Sequence, residues 1–339
     1  MVHPVDPAQQ STVAARMTVL PHEAIVVATP VIVAIVQAEL LPDAESALAA
    51  TAQGIATARA AGATLVAFPE TWIPGYPAWL DHCRDVALWD HPPVKRLFRE
   101  MVEQSVTIPG PVADRLGAMA RDAEVTLVVG VTERVAAGAG RGTLYNALLT
   151  FGPDGRLLNH HRKLVPTYTE RMIWGPGDAT GLRSVATPAG RVGGLVCWEH
   201  WMPLARQVLH EAGEDIHVAV WPWVHEMHQV ACRQYAFEGR CFVLAAGGLL
   251  RRSALPSALT PRDDDTGKWV LRGGSAVIGP DGRYLTEPVL DRPAVIIATI
   301  DLGRCVEEHM TLDVGGHYHR PDVFSVSVHR ARPGATEAE

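Results

Sequence analysis

The order of three apolar segments near the start of the chain constrains the fold most. A β-branched run, "VIVAIVQAEL" at 31–40, precedes an alanine-rich stretch, "DAESALAATAQGIATARAAG" at 43–62, and a second apolar run, "ATLVAFPE", follows at 63–70. The outer segments have the composition and length of buried strands, and the middle one has that of a helix closed by Gly62. This order predicts two parallel strands of one sheet joined by a covering helix.

Further along the chain, the same kind of strand recurs and hairpins are added. Apolar strands are predicted in "EVTLVVGVTER" at 124–134, "GLVCWEH" at 194–200 and "DIHVAVWPW" at 215–223, with a helical stretch at 225–240. The turn Gly-Pro-Asp-Gly occurs twice, and each copy favours a β-hairpin. Together these patterns predict an α/β fold in which two mixed sheets pack face to face with helices outside. No linker divides the chain, although 251–269 has the Pro, Ser and Asp content of a loop.

Composition narrows the classes of function. The chain has 339 residues, 47% of them apolar, which is enough for a large core. A net charge of -7 with scattered Lys and Arg argues against nucleic acid or an anionic membrane as partner. The apolar run at 24–36 is shorter than a membrane span and contains Pro30, so we interpret its second half as the first strand. Five cysteines without a C-x-x-C pair indicate a reducing compartment, and we predict a cytoplasmic protein.

Chemically capable residues follow the predicted strands. Cys197 comes directly after an apolar run, and Glu70 ends the second strand between apolar neighbours. A thiol needs a group that carries its proton, and both His200, three residues on, and Glu70 are candidates. Because Cys-His hydrolases normally bring their histidine from elsewhere in the fold, the carboxylate is favoured. Lys163, which follows a predicted hairpin, is a candidate cation for the developing negative charge.

Three of these segments resemble a known family in order and spacing. "FPETWIPGYP", "HRKLVPTYTERMIWGPGD" and "GGLVCWEHWMPL" are similar to the Glu, Lys and Cys segments of the carbon-nitrogen hydrolase superfamily, most closely its nitrilase branch. The resemblance extends from about residue 30 to about residue 324 and implies a four-layer α-β-β-α sandwich. It implies that Cys197 is the nucleophile, Glu70 the general base and acid, and Lys163 the residue that stabilises the intermediates. It further implies that Glu133 is a second carboxylate near Lys163.

The resemblance also favours a substrate class. Trp198 directly after the nucleophile is typical of nitrilases, and we predict a pocket formed by Tyr76, Trp174, Trp198 and His200. His200 departs from the pattern, because many nitrilases carry Asn there. The predicted reaction converts an organic nitrile to a carboxylic acid and ammonia through a cysteine thioimidate and thioester, with no cofactor and no metal.

Three alternatives stay open. An amidase or an N-carbamoyl hydrolase would use the same three residues, and a binding or scaffold protein would keep the fold without turnover. A metal site is disfavoured, because "HEMH" at 225–228 is one residue short of the zinc motif H-E-x-x-H. We predict a flexible extension at 1–28, a catalytic domain at 29–311 and a tail at 312–339. The resemblance implies a homodimer or a larger spiral homo-oligomer, in which this tail contacts other subunits.

Overall fold

The structure is a computed structural model that describes residues 30–263 and 266–330, so the predicted extension at 1–28 lies outside the described residues. The strands are β1 Val31–Gln37, β2 Leu65–Ala67, β3 Thr126–Arg134, β4 Leu144–Phe151, β5 Leu157–Arg162, β6 Val185–Thr187, β7 Gly190–Val196, β8 Ile216–Trp221, β9 Phe242–Gly247, β10 Leu249–Arg251, β11 Trp269–Ile278, β12 Tyr284–Leu290 and β13 Ala294–Ile300. The α-helices are α1 Ala44–Ala60, α2 Trp79–His82, α3 Pro92–Gln104, α4 Pro111–Asp122, α5 Pro203–Glu211, α6 Glu226–Gly239 and α7 Gly303–His309.

The strands form two mixed sheets. The first has the order β13-β1-β2-β3-β4-β5, and the second has the order β10-β11-β9-β8-β7-β6 with β12 paired to β11. In the first sheet β1, β2 and β3 are parallel neighbours, which confirms the predicted strand-helix-strand unit around α1. In the second sheet β7, β8 and β9 are also parallel, so the carboxyl ends of β2 and β7 can each deliver a residue to one edge.

The alternation of side chains along β1 shows how the layers stack. Val33 and Ile35 belong to the core shared with the second sheet, whereas Ala34 and Val36 belong to the core beneath α1 and α4. The helices α5 and α6 cover the other face of the second sheet. The predicted four-layer α-β-β-α sandwich in a single domain is therefore confirmed.

Gly194 permits the close approach of the two sheets next to the nucleophile strand. A Cβ atom at this position of β7 would lie 2.7 Å from Leu148 Cδ2 of β4 and 2.9 Å from the carbonyl oxygen of Val218. Such distances are below van der Waals contact, so a larger residue would push the sheets apart. The pair of glycines before Cys197 thus has a packing reason.

After α7 the chain continues across its own surface. Gln207 of α5 donates to the carbonyl oxygen of Val314 at 3.1 Å, and Arg330 donates to the carbonyl oxygen of Leu182 at 2.8 Å. The predicted contact of this tail with other subunits stays a prediction. Within residues 30–263 and 266–330, every helix is too short or too polar to cross a bilayer.

Candidate active site

Glu70 lies in the turn that follows β2 and is fully buried. Its Oε1 accepts hydrogen bonds from Asn146 Nδ2 at 2.6 Å and from Lys163 Nζ at 3.1 Å, whereas its Oε2 has no hydrogen-bond partner among the described residues. The turn lies against Gly130 of β3, where a Cβ atom would be 2.4 Å from the carbonyl oxygen of Pro69. A glycine in the neighbouring strand therefore allows the Glu70 turn to sit directly on the sheet.

Lys163, which follows β5, contacts a second carboxylate that the sequence analysis did not identify. Lys163 Nζ donates to Glu170 Oε2 at 2.6 Å, and the same oxygen accepts the backbone N–H of Thr167 at 2.7 Å. Glu170 Oε1 accepts from the Tyr76 hydroxyl at 3.1 Å. The sequence did hold a signal, since Thr167 and Glu170 form the Thr-x-x-Glu pattern of a helix start, but that pattern usually indicates only a cap.

Cys197 follows β7 and begins a short 3-10 turn. The carboxylate of Glu199 braces this turn, because its Oε2 accepts the backbone N–H of Val196 and its Oε1 that of Leu164, both at 2.7 Å. Leu164 directly follows Lys163, so one buried side chain ties the cysteine segment to the lysine segment. Glu199 was also not among the predicted site residues. Glu199 lies two residues after the cysteine, and that spacing in the sequence offers no chemical reason to assign it a role.

Three residues at the site have left-handed backbone conformations. The φ angles are 42° at Thr71, 42° at Tyr168 and 55° at Cys197. Residues other than glycine rarely adopt this region, and it persists only where the surrounding structure imposes it. Each of these residues is Cys197 itself or lies within two positions of Glu70 or Glu170, so three of the seven non-glycine residues with positive φ in the described chain belong to the site.

The thiol and the two carboxylates converge. One oxygen of Glu70, one of Glu170 and the Cys197 sulfur all lie within 4.8 Å of one another. These are donor atoms that could hold a metal ion. However, the Lys163 ammonium is already hydrogen-bonded to both carboxylates, so it supplies positive charge to the same group.

Burial sets the protonation states of this group. Burial raises the pKa of Glu70 to about 7, although Lys163 works in the opposite direction. Burial likewise raises the pKa of the Cys197 thiol well above its usual value, and Glu70 adds to this while Lys163 opposes it. Burial disfavours the charged form of Lys163, but Cys197 and the two carboxylates keep its pKa above the usual value. The resting cysteine is therefore a thiol beside a carboxyl group whose pKa lies near neutral pH, and both lie near a fixed cation.

Glu133 does not occupy the position expected for it. Its carboxylate accepts from Arg162 Nε at 2.8 Å and contacts the other guanidinium nitrogen, and His160 Nε2 lies 2.7 Å away. Among the described residues, the ion pairs of Lys163 are with Glu70 and Glu170 instead. The resemblance implies a second carboxylate near Lys163 at Glu133, but the carboxylate that contacts Lys163 beside Glu70 is that of Glu170. Glu133 pairs with the neighbouring Arg162, because successive residues at a strand end point to opposite sides.

A cavity of about 320 Å³ leads to the cysteine. Of the four predicted pocket residues, Tyr76 and Trp198 line it. Trp174 is buried behind Tyr76, with ring centroids 5.9 Å apart, and His200 lies beneath the nucleophile turn with its Nδ1 2.6 Å from the Cys197 carbonyl oxygen. Neither of these two side chains lines the cavity. Further aromatic and polar lining comes from Tyr168, Trp223, Asp81, His82, His225 and His228.

His200 is also not in position to act as the base for the thiol. Its Nδ1 contacts the backbone carbonyl of Cys197 and its Nε2 lies 3.0 Å from His217 Nε2, so both ring nitrogens are engaged away from the sulfur. Burial lowers the pKa of His200 to about 3. Of the two candidates weighed from the sequence, the geometry favours Glu70.

Comparisons with known proteins identify the family and agree with the fold. The family model described as carbon-nitrogen hydrolase matches residues 32–308. A nitrilase of Paraburkholderia phymatum is 37% identical over 276 residues, which are 79% of this chain and 77% of that protein. A bifunctional nitrilase/nitrile hydratase of Lupinus angustifolius is 38% identical over 281 residues, which are 81% of this chain and 78% of that protein.

A solved structure gives the same architecture. The carbon-nitrogen hydrolase from Helicobacter pylori G27 superimposes with a TM-score of 0.65 at 20% identity and covers 84% of this chain and 93% of its own. At 20% identity this likeness supports the fold alone. Membership of the family rests on the family model and on the more similar relatives. The chain thus belongs to the carbon-nitrogen hydrolase family, and within it to the nitrilase branch.

Proposed function

We propose that this chain is a nitrilase that hydrolyses an organic nitrile to a carboxylic acid and ammonia. The observation that carries the proposal is the free Oε2 of Glu70, a buried carboxylate oxygen without a partner among the described residues, in the same cluster as a buried thiol. A proton carrier, a nucleophile and a cation are together in one closed space. The nitrilase names of the relatives support the choice of substrate class.

In the first step Glu70 takes the proton of the Cys197 thiol as the sulfur attacks the nitrile carbon. A carbon–sulfur bond forms, one π bond of the nitrile breaks, and the nitrogen receives the proton from Glu70 to give a thioimidate. The charge that develops on nitrogen needs a donor. Lys163 has three N–H groups, and within the described chain two of them are used by Glu70 and Glu170, which leaves the third for the substrate.

In the following steps Glu70 works on water. It removes a proton from a water molecule that adds to the thioimidate carbon and passes that proton to the nitrogen, so a tetrahedral intermediate with one hydroxyl and one amino group forms. The hydroxyl proton is then transferred to the nitrogen, the carbon–nitrogen bond breaks, ammonia leaves and a thioester remains. A second water molecule, activated in the same way, breaks the carbon–sulfur bond and releases the acid. If the carbon–sulfur bond of the first tetrahedral intermediate breaks instead, an amide is released. Two water molecules are consumed for each acid formed.

Glu170 completes this group as a positioning residue. Its hydrogen bonds hold the Lys163 ammonium on one side and the Tyr76 hydroxyl of the cavity wall on the other. We assign to Glu170 the place next to Lys163 that the sequence analysis gave to Glu133. For Glu133 we propose instead that it stabilises the end of β5 through Arg162.

The test is ammonia release from a panel of nitriles and amides. We expect release from at least one nitrile, and loss of that activity in Cys197→Ala and after treatment with iodoacetamide, but not in EDTA. Cys305→Ala is the matched control, since this buried thiol of α7 is remote in sequence from every acting group. Turnover of amides alone would favour an amidase or an N-carbamoyl hydrolase. No turnover of either class would favour a binding protein, and loss in EDTA that zinc restores would favour a metal enzyme.

We further propose a homodimer or larger spiral homo-oligomer. Large apolar side chains on the outer face of α5 and α6 are exposed, namely Leu204, Met227, Val230 and Phe237. Such a patch on a soluble protein is typical of an interface. An active species of 36.6 kDa by light scattering at assay concentration would contradict this proposal. The cytoplasmic location is also a proposal, supported by five free cysteines.

A further inference from the structure

A buried chain of hydrogen bonds extends from the nucleophile turn into the core. The Cys197 carbonyl oxygen lies 2.6 Å from His200 Nδ1, His200 Nε2 lies 3.0 Å from His217 Nε2, and His217 Nδ1 lies 2.6 Å from Glu214 Oε2. The other oxygen of Glu214 accepts from the Tyr235 hydroxyl at 2.9 Å. All these side chains are buried, and none of the two histidines and Glu214 lines the cavity.

Elementary chemistry gives this chain a direction. A carbonyl oxygen only accepts, so the proton of His200 must be on Nδ1, and its Nε2 then accepts. His217 must therefore donate from Nε2 and carry a lone pair or an additional proton on Nδ1. Either Glu214 is protonated and donates to that nitrogen, or the proton has moved to His217 and the carboxylate accepts. In both states one proton is held between Glu214 and His217.

Loss of that proton reverses the direction of the hydrogen bonds in this series. His217 would donate from Nδ1 to the Glu214 carboxylate, and its Nε2 would then face His200 with a lone pair. To donate a hydrogen bond to that lone pair, His200 would have to carry its proton on Nε2 instead of Nδ1. Its Nδ1 would then present a lone pair to the Cys197 carbonyl oxygen, and a hydrogen bond would be replaced by repulsion.

We propose that Glu214 and His217 are positioning residues that keep His200 in the tautomer that holds the Cys197 carbonyl, and thereby keep the thiol in place. The proposal rests on the proposed function, in which Cys197 is the nucleophile. The backbone of Cys197 is in the left-handed region, with φ 55°, and such a conformation needs support from its surroundings. Within the described residues, the imidazole of His200 is the side-chain donor to this carbonyl oxygen.

The protonation state agrees with this requirement. Burial raises the pKa of Glu214 to about 7, and burial lowers the pKa of His200 to about 3, so His200 is neutral at physiological pH. Other titratable and charged groups face these hydrogen bonds from the surrounding elements. They are His161 and Glu199 beside the nucleophile turn, Arg206 and His210 of α5, and His228, Tyr235 and Glu238 of α6. Asp215 and Cys241, beside β8 and β9, complete the set. Several of them pair with each other, as His161 with Glu199 and Arg206 with Glu238.

The test compares two substitutions of Glu214 by the rate at which iodoacetamide alkylates Cys197. In Glu214→Gln the carboxamide oxygen accepts from Tyr235 and the amide N–H donates to His217, so the variant reproduces the protonated acid but does not ionise. We expect wild-type rates in Glu214→Gln below about pH 6, where Glu214 is protonated in the wild type. As the pH rises through 7, the ratio of the Glu214→Gln rate to the wild-type rate should increase by on the order of tenfold, the effect of one lost hydrogen bond to a buried acceptor.

Variants that cannot donate should react more slowly than Glu214→Gln at every pH, and more slowly than the wild type below about pH 6, where Glu214 is protonated. Glu214→Leu and His217→Phe are expected to slow alkylation by about tenfold. Tyr235→Phe is the matched control, because it keeps the ring stacked on His217, at 3.7 Å between centroids, and removes a bond outside the direct line to Cys197. It should leave the rate below about pH 6 unchanged, because Glu214 is already protonated there.

Two results would overturn the proposal. One is a Glu214→Gln variant that is as slow as Glu214→Leu at neutral pH, and the other is an alkylation profile of Glu214→Gln that coincides with that of the wild type over the whole pH range. Both comparisons hold even if His217→Phe does not fold. Alkylation needs no nitrile, so an absence of nitrile turnover with the expected alkylation pattern would reject the proposed function and retain the hydrogen-bond chain.

Discussion

Arg162 and Lys163 are neighbours in sequence, yet they pair with buried glutamates of opposite behaviour. Arg162 holds Glu133 through two hydrogen bonds, and His160 adds a third contact. Burial opposes this charge, but these partners outweigh it and lower the pKa of Glu133 to about 2. Lys163 holds Glu70 through a single bond of 3.1 Å, and burial raises the pKa of that carboxyl to about 7.

The opposite pKa shifts of Glu133 and Glu70 show what makes a buried ion pair structural or reactive. A guanidinium satisfies both oxygens of a carboxylate, so the charge is fixed and cannot exchange a proton near neutral pH. An ammonium shared between two carboxylates leaves one oxygen of Glu70 without a donor, and that carboxyl is poised to gain and lose a proton. The predictions below test this distinction, from the largest expected effect on activity to the smallest.

The substitution Glu70→Gln should have the largest effect. The amide cannot accept the thiol proton, so we expect kcat to fall by about 10²-fold or more, the contribution typical of general acid–base catalysis. The free energy of unfolding should not decrease, because a buried carboxylate with a raised pKa is replaced by a neutral group. Steady-state ammonia release and thermal unfolding measure the two quantities. An active Glu70→Gln enzyme would reject Glu70 as the proton carrier.

The substitution Glu170→Gln should have the second-largest effect on activity. Lys163 would keep a neutral acceptor but lose the charge that holds it at 2.6 Å, and the cavity-lining hydroxyl of Tyr76 would lose the same partner. We expect kcat to fall by roughly tenfold to 10²-fold, because the catalytic geometry depends on positioning. Tyr76→Phe serves as control, since it removes only the second of these contacts. If the two variants are equally active, Glu170 acts only through Tyr76.

The pH dependence of kcat/KM should report the raised pKa of Glu70. The base is the carboxylate, and a folded pKa of about 7 means that this form is lost as the pH falls through 7. We expect kcat/KM to decrease about tenfold for each pH unit below that value, measured between roughly pH 5 and pH 8. The same decrease of kcat/KM at low pH should remain in Glu133→Gln. A limb that is absent in the wild type would mean that Glu70 does not govern the first step.

The substitution Glu133→Gln should have the smallest effect on kcat and a clear effect on stability. The mostly buried Arg162 would lose its closest ionic partner and keep the longer ion pair with Asp178 at 3.8 Å, so we expect a loss of about 3 kcal/mol in the free energy of unfolding. The folded pKa lies below the usual 4.5, so the wild-type advantage is present above 4.5 and is lost as the pH falls towards 2. Urea unfolding at neutral and acidic pH measures this. A collapse of kcat in a stable Glu133→Gln variant would restore Glu133 to the catalytic group.

Much of the fold was predictable because its signals are local. The β-branched run of β1, the alanine-rich helix after it and the Gly-Pro-Asp-Gly hairpins are patterns over a few residues, and each element was found where it was expected. Short 3-10 turns were not predicted. Helix α5 begins at Pro203, and before it the five residues from Cys197 to Trp201 form a separate turn that orients the thiol.

Three of the predicted residues, Glu70, Lys163 and Cys197, lie together for the same reason. Glu70 and Cys197 follow the carboxyl ends of β2 and β7, and Lys163 follows the end of β5, so each position is the end of a recognisable element. Glu170, Glu199 and the pair of Glu214 and His217 were missed. Their importance depends on which atoms lie within 3 Å of them, and no spacing in the sequence encodes that.

By itself, the sequence determined the order of the elements, the layers they form and the segments that carry a thiol, an acid and a cation. These follow from hydrophobic periodicity and turn chemistry, which act between near neighbours in the chain. Only the tertiary structure decided that Lys163 pairs with Glu170 rather than with Glu133, and that His200 supports the nucleophile from below rather than lining the cavity. These choices depend on which side of a strand end faces which neighbour, and on burial that sets each pKa, and both are properties of the packed molecule.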